Sequence, residues 1–271
     1  MKRYLKKDNK VYFNNNIVKN INPHSLTFLK NPFNGNDILQ NHYIKDNKSV
    51  FLNGRKIPEA SPEAFEIIGK NYSKDNFFIF YMDYKIENAD LCSFIVLNRY
   101  YAKDKNLIYH WNLKLEEADV NSFEIIDDLY SKDNKSVYYQ GSLLKNADVK
   151  TFEVISYWFS RDKSSVFYEE KKIENADVNS FEIIDDWFSK DKNSIFYEEK
   201  RINNCDPESF FIFNAWFSKD KNNIYFENLI LDEADPETFY IDTQENNTAH
   251  DKNYSYTINL DDNKLERILL R

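Results

Sequence analysis

Glycine is nearly missing from this chain, with four residues in 271, and there are only six prolines, two cysteines and four histidines. So few glycines leave no Gly-rich loop to cradle phosphates and no Gly-x-Ser-x-Gly elbow to expose a nucleophile. The histidines (His24, His42, His110 and His250) form no spaced ligand pair and have no neighbouring cysteine. Positive charge is also in deficit: 36 Lys and Arg against 45 Asp and Glu give a net charge of −9. An acidic chain of this kind lacks the basic stripe that phosphate recognition needs, which argues against nucleic-acid binding. No apolar run approaches 18 residues and mean hydropathy is −0.71, so no membrane-spanning helix is expected. The N-terminal stretch is basic but has no apolar segment behind it, so nothing marks the chain for secretion.

What the chain has instead is a period. Asp46, Asp75, Asp104, Asp133, Asp162, Asp191 and Asp220 follow one another at intervals of 29 residues, each preceded by Lys or Arg. Asp8 lies 38 residues before the series and Asp251 lies 31 after it. A constant period of this size is the signature of one supersecondary unit copied and stacked. The string ADVNSFEIIDD occurs twice without change, from Ala118 and from Ala176, which points to internal duplication.

Indexed to its Asp, each copy has the same grammar. An aromatic residue lies three positions before (Tyr72, Tyr101, Phe159, Phe188). A β-branched residue and an aromatic follow the turn (Ile79–Phe80, Val166–Phe167, Ile195–Phe196). This composition predicts two strands joined by a tight polar turn, in which Asp and Asn bond the local backbone. A third strand is centred eleven residues past the Asp, at Ile57, Ile86, Leu115, Leu144, Ile173, Ile202 and Leu231. Next comes Asp90, Asp119, Asp148, Asp177, Asp206 or Asp235, with proline after it in two copies (Pro207 and Pro236). That pattern is an N-cap opening one helical turn. The Phe of the turn (Phe65, Phe94, Phe123, Phe152, Phe181, Phe210, Phe239) should point inward beside a small Ala.

The expected fold is therefore all-β: an elongated stack of about eight 29-residue, three-stranded antiparallel repeats, each with one short helical turn. A closed β-propeller is the alternative, disfavoured because blades normally carry four strands and more residues. Residues 1–249 read as a single array with an insertion at 30–41, and residues 250–271 as a capping hairpin of the same body, covering an open apolar end.

The strings KDNKSVYY (Lys132 to Tyr139), KDKNLIYH (Lys103 to His110) and KDKNNIYF (Lys219 to Phe226), with the recurrent Ala-Asp-x-x-Ser/Thr-Phe, resemble the DKNYY family of bacterial repeat proteins. The resemblance covers nearly the whole chain. It implies a repeat architecture and carries over no catalytic or cofactor residue.

Candidate chemistry is sparse. Asp-Lys-Asn, as at Asp191–Asn193, offers two oxygens in calcium-loop spacing, but a calcium site needs about six to eight, so a β-turn is expected and no metal or cofactor. Cys205 stands where other copies have Ala, so a buried thiol is favoured over a disulfide with Cys92, consistent with a reducing cytoplasm. Trp158, Trp187 and Trp216 fall at the repeat spacing, and Leu129 in the same register favours an inward role. No enzyme is expected. The leading expectation is a non-enzymatic protein-binding scaffold, an inhibitor or immunity-type protein that blocks a basic toxin or nuclease. Its partner-binding residues would be Glu169, Glu170, Glu174, Glu198 and Glu199, with Phe33, Asn34 and Asp37 of the insertion. The alternative is a cell-envelope or carbohydrate-binding module that uses the aromatic columns.

Overall fold

A computed structural model describes residues 4–33, 42–242, 247–259 and 264–270. Its strands assemble into nine small antiparallel sheets in chain order, the first with three strands and the other eight with four. The chain divides into two compact units, Met1–Ser142 and Leu143–Arg271. The only helical segment among the described residues is a 3-10 turn at Pro23–Ser25.

The all-β repeat reading holds, with one strand more than the sequence announces in every sheet after the first. The helical turn expected in each repeat is instead a plain turn or bend, too short to close a helix, in every described copy but that of Pro23–Ser25. One sheet of the second unit illustrates the plan: Glu182–Ile183, Phe188–Lys190, Ile195–Tyr197 and Lys200–Arg201 form a four-stranded meander. The additional strand is the two-residue Glu-Ile that follows the Phe of the capped turn, and Glu182 pairs with Lys190 in register. Two residues are too few for alternation to show, so periodicity could not find it. The closing hairpin, Tyr254–Asn259 with Lys264–Leu269, completes a sheet with Tyr240–Ile241 and Thr248–His250.

Within each unit the core lies between consecutive sheets. The central strands are buried on both faces, and their alternation sends neighbours in opposite directions. Ile195 and Tyr197 join Phe188, Ile202 and Tyr225 toward the following sheet, whereas Phe196 joins Phe159 and Val166 toward the preceding one. The Phe of each turn is a wedge between two sheets. Phe181 lies 5.8 Å from Phe159 and 6.4 Å from Phe196, and Phe94 lies 6.0 Å from Tyr72 and 5.6 Å from Tyr109. Tilted rings at these separations add to the area they bury.

The period-29 Asp is the keystone, and its geometry explains the motif letter by letter. Asp220 is 1% exposed. Its Oδ1 accepts from the N–H groups of Asn222 (2.8 Å) and Asn223 (2.7 Å), closing the hairpin turn. Its Oδ2 accepts from the N–H of Asp206 (2.8 Å), fourteen residues earlier, and from the Tyr225 hydroxyl (2.9 Å). The same reach from the earlier turn recurs at Asp104, Asp133, Asp162, Asp191 and Asp251. The lysine after the Asp closes the loop from outside: Lys221 pairs with Asp206 at 2.8 Å, Lys192 with Asp177 and Lys163 with Asp148. Asp177 acts as the expected cap, its Oδ1 accepting from Asn179 (3.0 Å) and Ser180 (3.3 Å). Thus Asp, Lys and Tyr of the motif are structural.

The backbone also shows how four glycines suffice. Eighteen described non-glycine residues have positive φ, and half are asparagines such as Asn88, Asn146, Asn175 and Asn204. Asparagine tolerates this region because its short amide bonds the local backbone. Gly141 is one place where only glycine fits, with φ +80° and room for a Cβ only 2.8 Å from that of His110.

Candidate functional site

Since the repeated motif is consumed by the fold, the candidate positions are those outside the buried ladder that differ between copies. The two-residue tips between the third and fourth strands differ in this way, and those of the second unit are half-buried except at Glu170, which is exposed. In the second unit they read Glu169–Glu170, Glu198–Glu199 and Glu227–Asn228. Each first residue sits in the left-handed region, with φ of 52°, 51° and 52°. Each donates its N–H to a tryptophan carbonyl on the neighbouring strand: Glu169 to Trp158 (2.8 Å), Glu198 to Trp187 (2.7 Å), Glu227 to Trp216 (2.6 Å). Three Trp–Glu pairs therefore recur along one edge of this unit, one pair per sheet.

The inward role expected from Leu129 holds for two of the three tryptophans: Trp158 packs against the core around Phe159 and Phe181, and Trp216 against the core around Phe217 and Phe239. Trp187 is 36% exposed, and Trp158 and Trp216 are half-buried. The reason is position: the buried ladder ends at the pairs Phe159–Tyr168 and Phe188–Tyr197, and each Trp lies one residue beyond it. Trp158 stacks on Tyr168 at 6.5 Å and 27°, with one edge against Tyr157. In the first unit the same positions hold His42, Asn71, Tyr100 and Leu129, with Asn53, Met82, Trp111 and Gln140 at the tips. No carboxylate occupies that column there.

The expected acidic residues divide by exposure. Glu170 and Glu174 are exposed, whereas Glu169, Glu198 and Glu199 are half-buried. Glu199 Oε1 pairs with Lys171 at 3.2 Å, while its Oε2 is buried with no hydrogen-bond partner. Burial, with Glu199 and Glu227 nearby, raises the Glu198 carboxyl above its ordinary range, and burial raises Glu227. The edge is not purely negative: Lys171, Lys172, Lys200 and Arg201 form the fourth strands just beyond the tips. Glu227 was not singled out from sequence, although its 29-residue offset from Glu198 was legible.

The insertion falls between Thr27–Leu29 and Tyr43–Lys45, which pair in one sheet, so it lengthens a hairpin connection. Phe33 is 45% exposed and donates its N–H to Asn31 Oδ1 at 3.0 Å. Asn34 and Asp37 lie outside the described residues.

The remaining chemistry is quiet. Among the described residues no group of three or more His, Cys, Asp or Glu is arranged to hold a metal ion. The Asp-Lys-Asn oxygens are already engaged, as Asp220 shows. Burial pushes the Asp220 carboxyl up, but the N–H groups of Asp206 and Asn222, the Tyr225 hydroxyl and the Asn223 N–H outweigh it and hold it below the ordinary range. Both thiols are free: Cys92 is exposed, and half-buried Cys205 is pushed up to about 12 by burial. No described helix is long and apolar enough to cross a membrane.

Tandem four-stranded meanders, clamped by a buried Asp that recurs with the repeat, define an all-β repeat protein whose signature residues are architectural. The family model describes the same periodicity: it matches residues 4–171, 164–200 and 188–269, and the chain belongs to the DKNYY family. No curated protein and no solved structure matches it.

Proposed function

We propose that this protein is a non-enzymatic binding scaffold, an inhibitor or immunity-type protein that covers a basic surface on a cytoplasmic toxin or nuclease. The observation that carries this reading is the Glu169–Glu198–Glu227 column. A hairpin tip in the left-handed region is met at low cost by asparagine, as at Asn53, yet three successive copies place a carboxylate there. Two of those carboxylates are raised by burial, a cost that local folding rules do not demand and that functional positions commonly bear. Summed with Glu170, Glu174 and Glu199, the column gives a field that steers a cationic partner and speeds its association.

The test begins with a partner captured from the source organism. Reversing Glu169, Glu170, Glu198 and Glu199 to Lys should slow its association and flatten the dependence of the rate on salt, since screening acts over about 8 Å at physiological ionic strength. An unchanged rate with an unchanged salt slope would remove the acidic column from the interface. A second reading, a carbohydrate-binding module of the cell envelope, is favoured by the exposure of the Trp187 indole. It predicts quenching of tryptophan fluorescence by soluble oligosaccharides.

A further inference from the structure

One strand edge in the second unit is unlike the others. The closing strand Lys264–Leu269 has six residues and pairs on one side only, with Tyr254–Asn259, in unbroken register from Tyr254↔Leu269 to Asn259↔Lys264. The strands at the same place in the other four-stranded sheets have two or three residues, and Arg55–Lys56, Lys171–Lys172 and Lys200–Arg201 consist of basic residues alone. Short and charged strands are how a β protein keeps its edges from pairing with another chain. Lys264–Leu269 is long, holds no proline or bulge, and leads into an apolar run: Ile268 and Leu269 are each 61% exposed and Leu270 is 45% exposed. The matching position of an interior sheet, Ile86, is 2% exposed.

The backbone decides which groups this edge offers. Leu270 donates its N–H to the Asn253 carbonyl at 2.7 Å. Main-chain groups alternate along a strand, so those of Glu266 and Ile268 also face Tyr254–Asn259. The N–H and C=O of Arg267 and Leu269 point the other way, where the sheet has no further strand. The charge at Arg267 does not bar this side. Its guanidinium reaches back along its own chain, donating from Nη1 to the Asp232 carbonyl at 2.6 Å and lying 4.5 Å from the centre of the Tyr254 ring.

The edge is complementary to a copy of itself. In an antiparallel pair, directly opposed side chains share a face, so a twofold axis must fall on a residue. Centred on Glu266 or Arg267, the pairing sets like charges against each other, which is destabilising. Centred on Leu269, it shortens the overlap. Centred on Ile268, it opposes Ile268 to its own copy, Arg267 to Leu269 and Glu266 to Leu270, with no like charges directly opposed. Arg267 and Leu269 then exchange their outward N–H and C=O groups with the second copy. The exposed Ile268 and Leu270 side chains of both copies meet on one face of the joined sheet, and those of Leu269 on the other.

We infer that the protein self-associates through this edge, two copies pairing their Lys264–Leu269 strands antiparallel about a twofold axis at Ile268. One strand a side is less than the roughly 800 Å² per partner of a stable complex, so the dimer exchanges and fills only in concentrated solution. The inference goes beyond the scaffold reading and uses none of the acidic tips.

Sedimentation velocity of the full chain from about 5 to about 500 µM should show the mean mass rising toward that of a dimer. Leu269→Pro removes an N–H that no bond within the chain uses, so it should hold the protein monomeric over the same range with an unfolding midpoint close to the parent's. Ile268→Lys, at an exposed position, sets two ammonium groups against each other on the axis and should do the same. The register is read by cross-linking in a Cys92→Ala background. Ile268→Cys places its thiols across a non-hydrogen-bonded pair, about 4.5 Å between Cα atoms and within disulfide reach. Glu266→Cys leaves them roughly 13 Å apart along the strands. Diamide should therefore yield covalent dimer from Ile268→Cys at least about ten-fold faster than from Glu266→Cys. A chain that stays monomeric at every concentration overturns the inference. So does association that persists unaltered in either folded variant, or cross-linking of Glu266→Cys as fast as that of Ile268→Cys.

Discussion

Replacing Asp220 isolates what the recurrent aspartate does. Its carboxylate accepts three backbone N–H groups and the Tyr225 hydroxyl at 2.7–2.9 Å in a site that is 1% exposed. In Asp220→Ala the turn N–H groups of Asn222 and Asn223 can turn to water, since those residues lie at the surface. The Asp206 N–H loses its acceptor, whereas the Tyr225 hydroxyl keeps longer bonds, donating to the Asn204 carbonyl and accepting from Asn223 Nδ2, both at 3.3 Å. A group left unpaired costs about 1–3 kcal/mol, and the lost charge-assisted turn bonds add to that, so the loss should be about 2–4 kcal/mol. Asp220→Asn keeps one oxygen for the turn but sets an amide N–H₂ against the Asp206 N–H, and should cost about 2 kcal/mol. Tyr225→Phe removes the hydroxyl's bond to Asp220 and two longer ones with Asn204 and Asn223, and should cost about 1–2 kcal/mol.

The assay is urea unfolding followed by tryptophan fluorescence in a Trp111→Phe background. Trp158, Trp187 and Trp216 then report the second unit alone. The folded-state pKa of Asp220 is lowered, so its stabilisation is present above the unfolded carboxylate range and lost as pH falls through the folded value. Asp220→Asn should therefore flatten the acid limb of the stability profile. A loss of less than about 0.5 kcal/mol in Asp220→Asn would refute the keystone assignment, because an essential acceptor cannot be exchanged for a donor without cost. Calcium provides a cross-check. A site at one hundred times its dissociation constant would add about 2.7 kcal/mol, whereas engaged carboxylates should leave the melting temperature unchanged in millimolar calcium.

Three further outcomes follow from other positions. Asp177→Ala should lower the melting temperature while Asp177→Ser remains close to the parent, because a serine oxygen can still accept from Asn179 and Ser180; equal losses would assign Asp177 another role. His110 is buried and held down to about 4, so protons bind its unfolded form first, and the first unit should lose roughly 3 kcal/mol as pH falls from 6.5 to 4. His110→Tyr, the residue at this position in Tyr81 and Tyr139, should abolish that slope in Trp111-monitored unfolding, and an unchanged slope would exclude His110 as its source. Ser189 and Ser218 have fully buried hydroxyls without a partner, at a position where Ala102 and Ala249 also occur. Replacing either serine with Ala should raise stability by up to about 1 kcal/mol, and a loss of that size would reveal a bond to the hydroxyl.

How much of this was legible in the sequence depended on whether a residue's job is local. The two hairpin strands, the capped turn and the inward Phe were readable because period and residue type coincide there. The reach of Asp220 to Asp206 was not, since fourteen residues of intervening strand and turn hide a contact that only stacking creates. The additional first strand of each four-stranded sheet was invisible because a pair such as Glu182–Ile183 is too short to alternate. Its discovery removes strand number as a ground against propeller blades, although the core clusters within each unit still join only consecutive sheets.

The candidate site was half legible for the same reason. Its acidic residues were visible, but their pairing with tryptophans depends on where each hairpin ladder stops. Because Trp158 lies one residue outside the pair Phe159–Tyr168, it sits half-buried at the rim of the core rather than within it. The same step puts Glu169 at a backbone geometry that carboxylates do not favour. A repeat protein changes its binding surface by substitution at such rims, because the Asp, Lys, Tyr and Phe positions are committed to the stack. Differences between copies, as between Glu198 in the second unit and Met82 in the first, fall at positions the fold leaves open to change, and the shared letters of the motif do not.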